Sequence, residues 1–394
     1  MAPRQRTLRA TMEWSYGLLD EAERALFRRL SVFVGGWDLE AAEAVGAGEL
    51  VEAGFVLDLL SALLDKSLVV ADAEAGGALR YGMLEPVRQF GSEKLRESPE
   101  APVVSRRHAE HYLELAETAD PELLGPDQGL WLQRLRTESW NLRAALAWSL
   151  EPVQEGRQEA RELRLRLVAA LGRFWGRNGF EEGKLWLRTA LERDRGEFPR
   201  ARAKALGELG FILLFQQDYG PALAALDEAV ALYKELGDTA GAAFALANLG
   251  WAVLHGYFRE RLPAFLQESE ALLEGGLEDH PRAYLSIIVA SATVWQGDLD
   301  LATSRLEEVV ALCRELGDLR NVAMAIFNLG GIHLRRGDIG RAIEAFGEGA
   351  RISGQLGDPL GAAYYIWIFG DVNARLGRPV RAAMLWGAAE ALRE

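Results

Sequence analysis

The chain is poor in the residues that build disulfide frameworks and metal centres. Its 394 residues include one cysteine, Cys313, and five histidines. A single cysteine excludes a disulfide framework and any cysteine-rich zinc or iron–sulfur site, and five histidines leave little for a histidine-built metal site. Long apolar runs are also missing. The most apolar internal stretches, Leu209 to Phe215 and Ile287 to Val294, fall far short of the ~20 residues a membrane span needs. Met1-Ala2-Pro3-Arg4-Gln5-Arg6 has no apolar run behind it to serve as a signal peptide. Basic charge is in deficit, with 44 Lys and Arg against 58 Asp and Glu and a formal net charge of −14. That balance argues against a general binder of nucleic acid or anionic membranes, though not against a local basic patch. The expectation is a cytoplasmic protein in a reducing compartment.

What is present looks globular. Hydrophobic content of 49% and charged content of 26% sit near the averages of folded domains. The length predicts two to four domains or one long repeat array.

Internal repetition decides between them. Leu236-Gly237-Asp238, Leu316-Gly317-Asp318 and Leu356-Gly357-Asp358 are separated by 80 and 40 residues. Gly297-Asp298, Gly337-Asp338 and Gly377 form a second series spaced by 40, and Gly210, Gly250, Ala290, Gly330 and Gly370 a third. Units therefore begin near residues 200, 240, 280, 320 and 360, with a degenerate one near 160 whose turn is Arg177-Asn178-Gly179-Phe180. Each holds two apolar runs with helical spacing, split by Gly-Asp or an equivalent. Gly suits the left-handed end of one helix, and Asp caps the next. Each unit reads as a helical hairpin and the array as an α-solenoid.

The pattern resembles the tetratricopeptide repeat. Leu329-Gly330, Gly337-Asp338, Ala342 and Phe346 carry the likeness, as do Val289-Ala290, Gly297-Asp298, Ala302 and Leu306. The unit from 240 departs, with Tyr257-Phe258 in place of Gly-Asp and Leu262 in place of Ala, so its turn geometry is left open. In tetratricopeptide arrays the first helix of each hairpin lines a concave groove. The positions facing that groove correspond to Lys204, Phe211, Phe215, Phe244, Trp251, His255, Tyr284, Trp295, Phe327, Arg335, Tyr364, Trp367 and Arg375. Rings with a few cations suit a peptide or a small apolar ligand; the alternative is that the rings pack between neighbouring hairpins.

Residues 7–98 lack the period. Asp20 and Glu23 form a capping-box-like start, and Ala25, Leu26, Leu30 and Phe33 follow at helical spacing. Gly35-Gly36 ends that helix, Asp38 caps a second through Val45, and Phe55 to Leu64 is a third. Ser67 to Val70 reads as a strand, Ala75-Gly76-Gly77 as a turn, Leu79 to Met83 as the partner strand, and Pro86 opens a helix. This is a winged-helix order.

Thr7-Leu8-Arg9-Ala10-Thr11, Trp14-Ser15-Tyr16, Leu26 to Phe33, Leu63 to Val69 and Val87-Arg88-Gln89-Phe90 resemble the segment after the nucleotide-binding domain in bacterial STAND-type signalling ATPases. The likeness extends through Arg107-His108, Tyr112-Leu113 and Leu142 to Leu146. It implies a winged helix followed by a tetratricopeptide sensor arm, with a nucleotide-binding domain in cis or in trans. Two departures stand out. No Gly-x-x-x-x-Gly-Lys-[Ser/Thr] occurs, since Gly179 to Lys184 has the wrong spacing. Met83-Leu84-Glu85 stands where related regulators carry Met-His-Asp, and Leu84 cannot sense a phosphate. Both ends look cut, so a fragment or split gene product is expected.

The chemistry is sparse. Residues 7–98 hold 9 Lys and Arg against 16 Asp and Glu, a poor balance for neutralising phosphates, and Arg24, Arg28 and Arg29 are the one local basic cluster. No Gly-x-Ser-x-Gly or His-Glu-x-x-His is present. His108 and His111 lack a third ligand and read as packing or solvated residues, and Cys313 reads as core.

The expected architecture is all-α, a tetratricopeptide-type α-solenoid at 200–394 preceded by a small winged-helix domain at 1–98, with a helical connector and degenerate first repeat at 99–199. The expected function is non-enzymatic, the regulatory and sensor portion of a STAND-type ATPase or transcriptional regulator. No catalytic residue, cofactor, metal, membrane or direct nucleic acid is expected; a protein, peptide or small inducer is. A stand-alone interaction scaffold and a DNA-binding regulator acting through the winged helix are the alternatives.

Overall fold

The computed structural model describes residues 3–73, 79–151, 157–256 and 258–392. The turn expected at Ala75-Gly76-Gly77, and Tyr257, lie outside the described residues. The chain divides into two compact units, one of Met1–Glu117 with Arg134–Leu167 and one of Thr118–Gln133 with Val168–Glu394. Among the described residues, no helix is long and apolar enough to cross a membrane.

The first unit opens with α1 (Pro3–Gly17), α2 (Glu21–Leu30), α3 (Leu39–Gly46) and α4 (Val56–Asp65). The hairpin of β1 (Val70–Ala73) and β2 (Leu79–Gly82) follows, then α5 (Glu85–Arg96). This is the winged-helix order. The cap of α2 is reciprocal: the Glu23 amide donates to Asp20 at 2.8 Å and the Asp20 amide donates to Glu23 at 2.9 Å. Asp38 caps α3 by accepting from the Ala41 amide at 2.8 Å. Leu26, Phe27, Leu30, Phe33, Leu60 and Leu63 are fully buried, so the helical spacing of the apolar residues builds this core.

Two local expectations change. The first strand starts at Val70, not Ser67, and pairs Val70 with Gly82 and Ala71 with Tyr81. Ser67 sits at φ +55°, and the Leu68 and Val69 amides donate to Leu63 O, so these residues close α4 before the strand begins. Helix α1 has no apolar stripe to announce it, and Trp14 and Leu18 are exposed.

Six further helices lead to the array: α6 (Ala101–Glu122), α7 (Gln128–Thr137), α8 (Ser139–Ser149), α9 (Gln158–Ala170), α10 (Gly172–Asn178) and α11 (Phe180–Arg193). Gly179, at φ +145°, makes the turn between α10 and α11, at the position of the degenerate repeat. Five hairpins then follow: α12 (Pro199–Phe215) with α13 (Tyr219–Glu235), α14 (Thr239–His255) with α15 (Leu262–Glu274), α16 (Asp279–Gln296) with α17 (Leu299–Glu315), α18 (Leu319–Arg335) with α19 (Ile339–Gln355), and α20 (Pro359–Arg375) with α21 (Pro379–Ala391). The fold is an all-α, tetratricopeptide-type solenoid preceded by a winged helix.

The repeat signature has a physical role at each position. Gly237, Gly297, Gly317, Gly337 and Gly357 all adopt positive φ, which glycine takes without steric cost. The aspartates after them cap the next helices: Asp238, Asp298, Asp318, Asp338 and Asp358 each accept from the amide three residues on. The small residue inside each first helix marks the crossing point. A Cβ on Gly330 would stand 2.4 Å from Phe346, and one on Gly250 would stand 2.3 Å from Phe265. In the hairpin with Phe258 at this turn, the second helix, α15, has 13 residues where α13, α17 and α19 have 17.

Candidate functional site

The first helices of the repeats supply most of one cavity of about 340 Å³ in the second unit. Lys204, Phe211 and Phe215 come from α12, Phe244 and Trp251 from α14, and Tyr284 from α16. Spacings of four and seven along a helix keep these side chains on one face. Their rings form two groups: Phe211 and Phe215 at 4.8 Å with Phe215 and Trp251 at 6.2 Å, and Phe244 with Tyr284 at 5.6 Å between centroids.

Beside the rings lies a cluster of buried charge. Asp120 accepts from Arg173 at 2.8 Å and is also paired with Lys204. The Arg173 guanidinium lies 5.2 Å from the Phe244 ring centroid, within cation–π range, and its Nε has no partner among the described residues. Glu208 is 1% exposed and packs against Gly172, where a Cβ would stand 2.3 Å from its side chain. Its Oε2 is unpartnered, and burial raises its carboxyl to about 7 against the pull of Arg173. Arg177 donates to the carbonyls of Arg173 and Leu123; burial, then Arg320 and Arg173, lowers it to about 9. Asn248, fully buried, accepts from the Tyr284 hydroxyl at 2.6 Å and leaves its Nδ2 unpartnered.

Seven of the thirteen groove positions expected from the repeat do not line this cavity. His255 is exposed, stacks on Trp251 at 4.7 Å and bonds the Trp251 carbonyl at 3.0 Å. Trp295 is 48% exposed, with Arg259 4.9 Å over its ring. Arg335 donates to Val294 O at 3.3 Å. Phe327 packs against Phe346, Tyr364 and Tyr365, so both it and Tyr364 belong to the packing between adjacent hairpins. Trp367 and Arg375 are exposed. Conversely, Asp120, Arg173, Arg177, Glu208 and Arg320 line the cavity without having been expected there. One signal was available: Glu208 interrupts the apolar run from Ala205 to Phe215, and a lone carboxylate inside such a run needs a buried partner.

In the first unit, the basic cluster is committed internally. Arg24 donates to Tyr16 O and Gly17 O, and Arg28 and Arg29 both pair with Glu100. Arg29 also donates to Gly46 O at 2.8 Å. His108 is buried between Phe33 and Tyr112, and burial lowers its imidazole to about 3. Cys313 is fully buried, and burial, then Asp318, pushes its thiol up to about 12. Among the described residues, no group of three or more His, Cys, Asp or Glu could hold a metal ion.

Comparison with known proteins agrees with the winged-helix part of this architecture. A family model described as a winged helix-turn-helix domain matches residues 19–96. A protein of Mycobacterium tuberculosis, named as a candidate HTH-type transcriptional regulator, is 37% identical over 328 residues. The match takes in 80% of this chain and 35% of that protein. An uncharacterized protein of the same organism is 45% identical over 108 residues, 27% of each chain. Among solved structures, a STAND protein with a tetratricopeptide repeat sensor from Pyrococcus horikoshii matches 96% of this chain and 64% of its own, with a TM-score of 0.39 and 16% identity. A Rap protein complexed with competence and sporulation factor matches 73% of this chain and 97% of its own, with a TM-score of 0.47 and 12% identity. The chain spans about a third of the length of the first regulators it matches. It joins a winged helix-turn-helix domain to a tetratricopeptide-like helical solenoid.

Proposed function

We propose that this chain is the regulatory and sensor portion of a STAND-type ATPase or transcriptional regulator, that it catalyses no reaction itself, and that it binds an inducer or a partner protein through the repeat array. The observation that carries this reading is the convergence of six groove positions, from Lys204 to Tyr284, on one aromatic cavity. Residues 1–98 serve as the winged-helix module, 99–199 as a connector and 200–394 as the sensor array. A ligand would act by favouring one arrangement of the array relative to a nucleotide-binding domain, supplied in cis or in trans.

The winged helix is read as a protein-facing module. The outward positions of α4 carry Leu57, Asp58, Ser61 and Asp65, none of them basic. A helix entering a DNA groove relies on cations to neutralise phosphates, and the nearby arginines are engaged by Glu100 and by backbone carbonyls. Gel-shift binding by this chain at physiological salt would favour the DNA-binding alternative.

The test is genetic. Deleting the gene, and separately introducing Phe244→Ala with Trp251→Ala at its locus, should alter overlapping sets of transcripts in exponential and stationary phase. Unchanged transcription in the deletion strain would sink the regulator reading.

A further inference from the structure

The cavity's charges do not balance. Four cations line it, Arg173, Arg177, Lys204 and Arg320, against three carboxylates, Asp120, Glu208 and Asp238. Asp120 is shared by Arg173 and Lys204, and Asp238 is paired with Arg200 from outside the lining at 3.2 Å. Glu208 carries an unbonded oxygen. That leaves two guanidiniums without a carboxylate partner. Arg177 donates only to backbone carbonyls, and Arg320 makes no hydrogen bond or ion pair among the described residues. The two repel one another, and the carboxylates acting on Arg177, Asp358 and Glu208, do so through space alone.

Two lining residues also carry unused donors. Arg173 Nε and Asn248 Nδ2 are buried and have no acceptor among the described residues. Buried donors are ordinarily satisfied, so two of them beside two unpaired guanidiniums mark a place where an acceptor belongs. Bidentate guanidinium recognition suits a planar carboxylate. The rings opposite offer apolar area, and about 340 Å³ is the size of a small-molecule site, not of an extended peptide groove.

We propose that this cavity binds an organic anion, a carboxylate on an aromatic or otherwise apolar body, with the carboxylate against Arg177 and Arg320 and the body against Phe211, Phe244 and Trp251. The proposal rests on the sensor reading above and gives that sensor's ligand a chemical class. A free aromatic acid and the C-terminal carboxylate of a peptide share this chemistry.

Calorimetry on the full chain at 0.15 M salt tests it with 2-naphthoate against 2-naphthamide, and N-acetylphenylalanine against its amide. The acids should bind roughly tenfold or more tighter than the amides, as hydrogen bonds to charged groups predict. Arg320→Gln should remove that preference and Arg320→Lys should restore part of it. Arg320 makes no hydrogen bond among the described residues, so its substitution should leave the thermal midpoint in place. Preference for naphthoate supports the proposal with a free acid as source; preference for N-acetylphenylalanine supports it with a peptide terminus. Equal binding of acid and amide, no binding of any probe, or an acid preference that survives Arg320→Gln overturns it. The regulator reading is judged separately, by transcripts in the deletion strain, so either can fall without the other.

Discussion

The Tyr284 hydroxyl donates to Asn248 Oδ1 at 2.6 Å and so ties the first helix of one hairpin to the first helix of the hairpin before it. Asn248 is fully buried and its other polar atom is already unpartnered, so this bond is its one side-chain hydrogen bond among the described residues. Tyr284→Phe should cost about 1–3 kcal/mol, the desolvation penalty of an amide left without partners. Adding Asn248→Leu should recover part of that loss. Urea unfolding of both variants measures it, and a double variant no more stable than Tyr284→Phe would contradict the bond's role.

Two neighbouring glycines should behave oppositely. A Cβ at Gly330 would stand 2.4 Å from the Phe346 ring, whereas one at Gly331 would meet nothing within 4 Å. Gly330→Ala should lower stability by about 1–3 kcal/mol through overpacking. Gly331→Ala should be neutral or stabilising by up to about 1 kcal/mol, because alanine is the better helix former. Thermal midpoints of the two variants decide it.

The capping aspartates can be ranked. Asp338 accepts from the Arg341 amide at 3.1 Å, while Asp218, at the equivalent place before α13, makes no side-chain cap. Asp338→Ala should cost about 1 kcal/mol. Asp218→Ala should cost clearly less. Equal losses in urea midpoint would show that the aspartates act by something other than capping.

His108 should make the first unit acid-sensitive. Its native imidazole is held near 3 by burial, below the ordinary value of 6.5. The unfolded chain therefore binds the proton first as pH falls. The stabilising contribution is complete above about 6.5 and is lost progressively down to about 3. Between pH 7 and 5 the loss should be roughly 2 kcal/mol. His108→Gln should flatten the slope over that window, as read by urea unfolding at the two pH values. An unchanged slope would show that His108 is protonated in the native state.

Much of this molecule is legible one residue at a time. The forty-residue period, the positive-φ glycines, the capping aspartates and the small residue at each helix crossing are local demands, met by particular side chains. The capping box at Asp20 and Glu23 is of the same kind. Helix α1 was hidden because it carries no apolar stripe, and the start of β1 was misplaced because Leu68 and Val69 are apolar for burial in a turn. Periodicity reports burial, and it reports secondary structure only where the two coincide.

The groove positions show the boundary more sharply. Helical spacing placed aromatic side chains on the first helices, because which face a residue occupies depends on its own helix. Whether that face meets a cavity, a neighbouring ring or solvent depends on how successive hairpins stack. Thus Phe244 and Trp251 reach the cavity, Phe327 packs against Phe346, and Trp367 is left exposed. The charged cluster lay further out of reach. Asp120 and Lys204 are 84 residues apart in the chain, and no repeat position links them. Their pairing, and the guanidiniums left over beside it, exist only because folding brings distant segments into one low-dielectric space, where each charge must find a partner or wait for one.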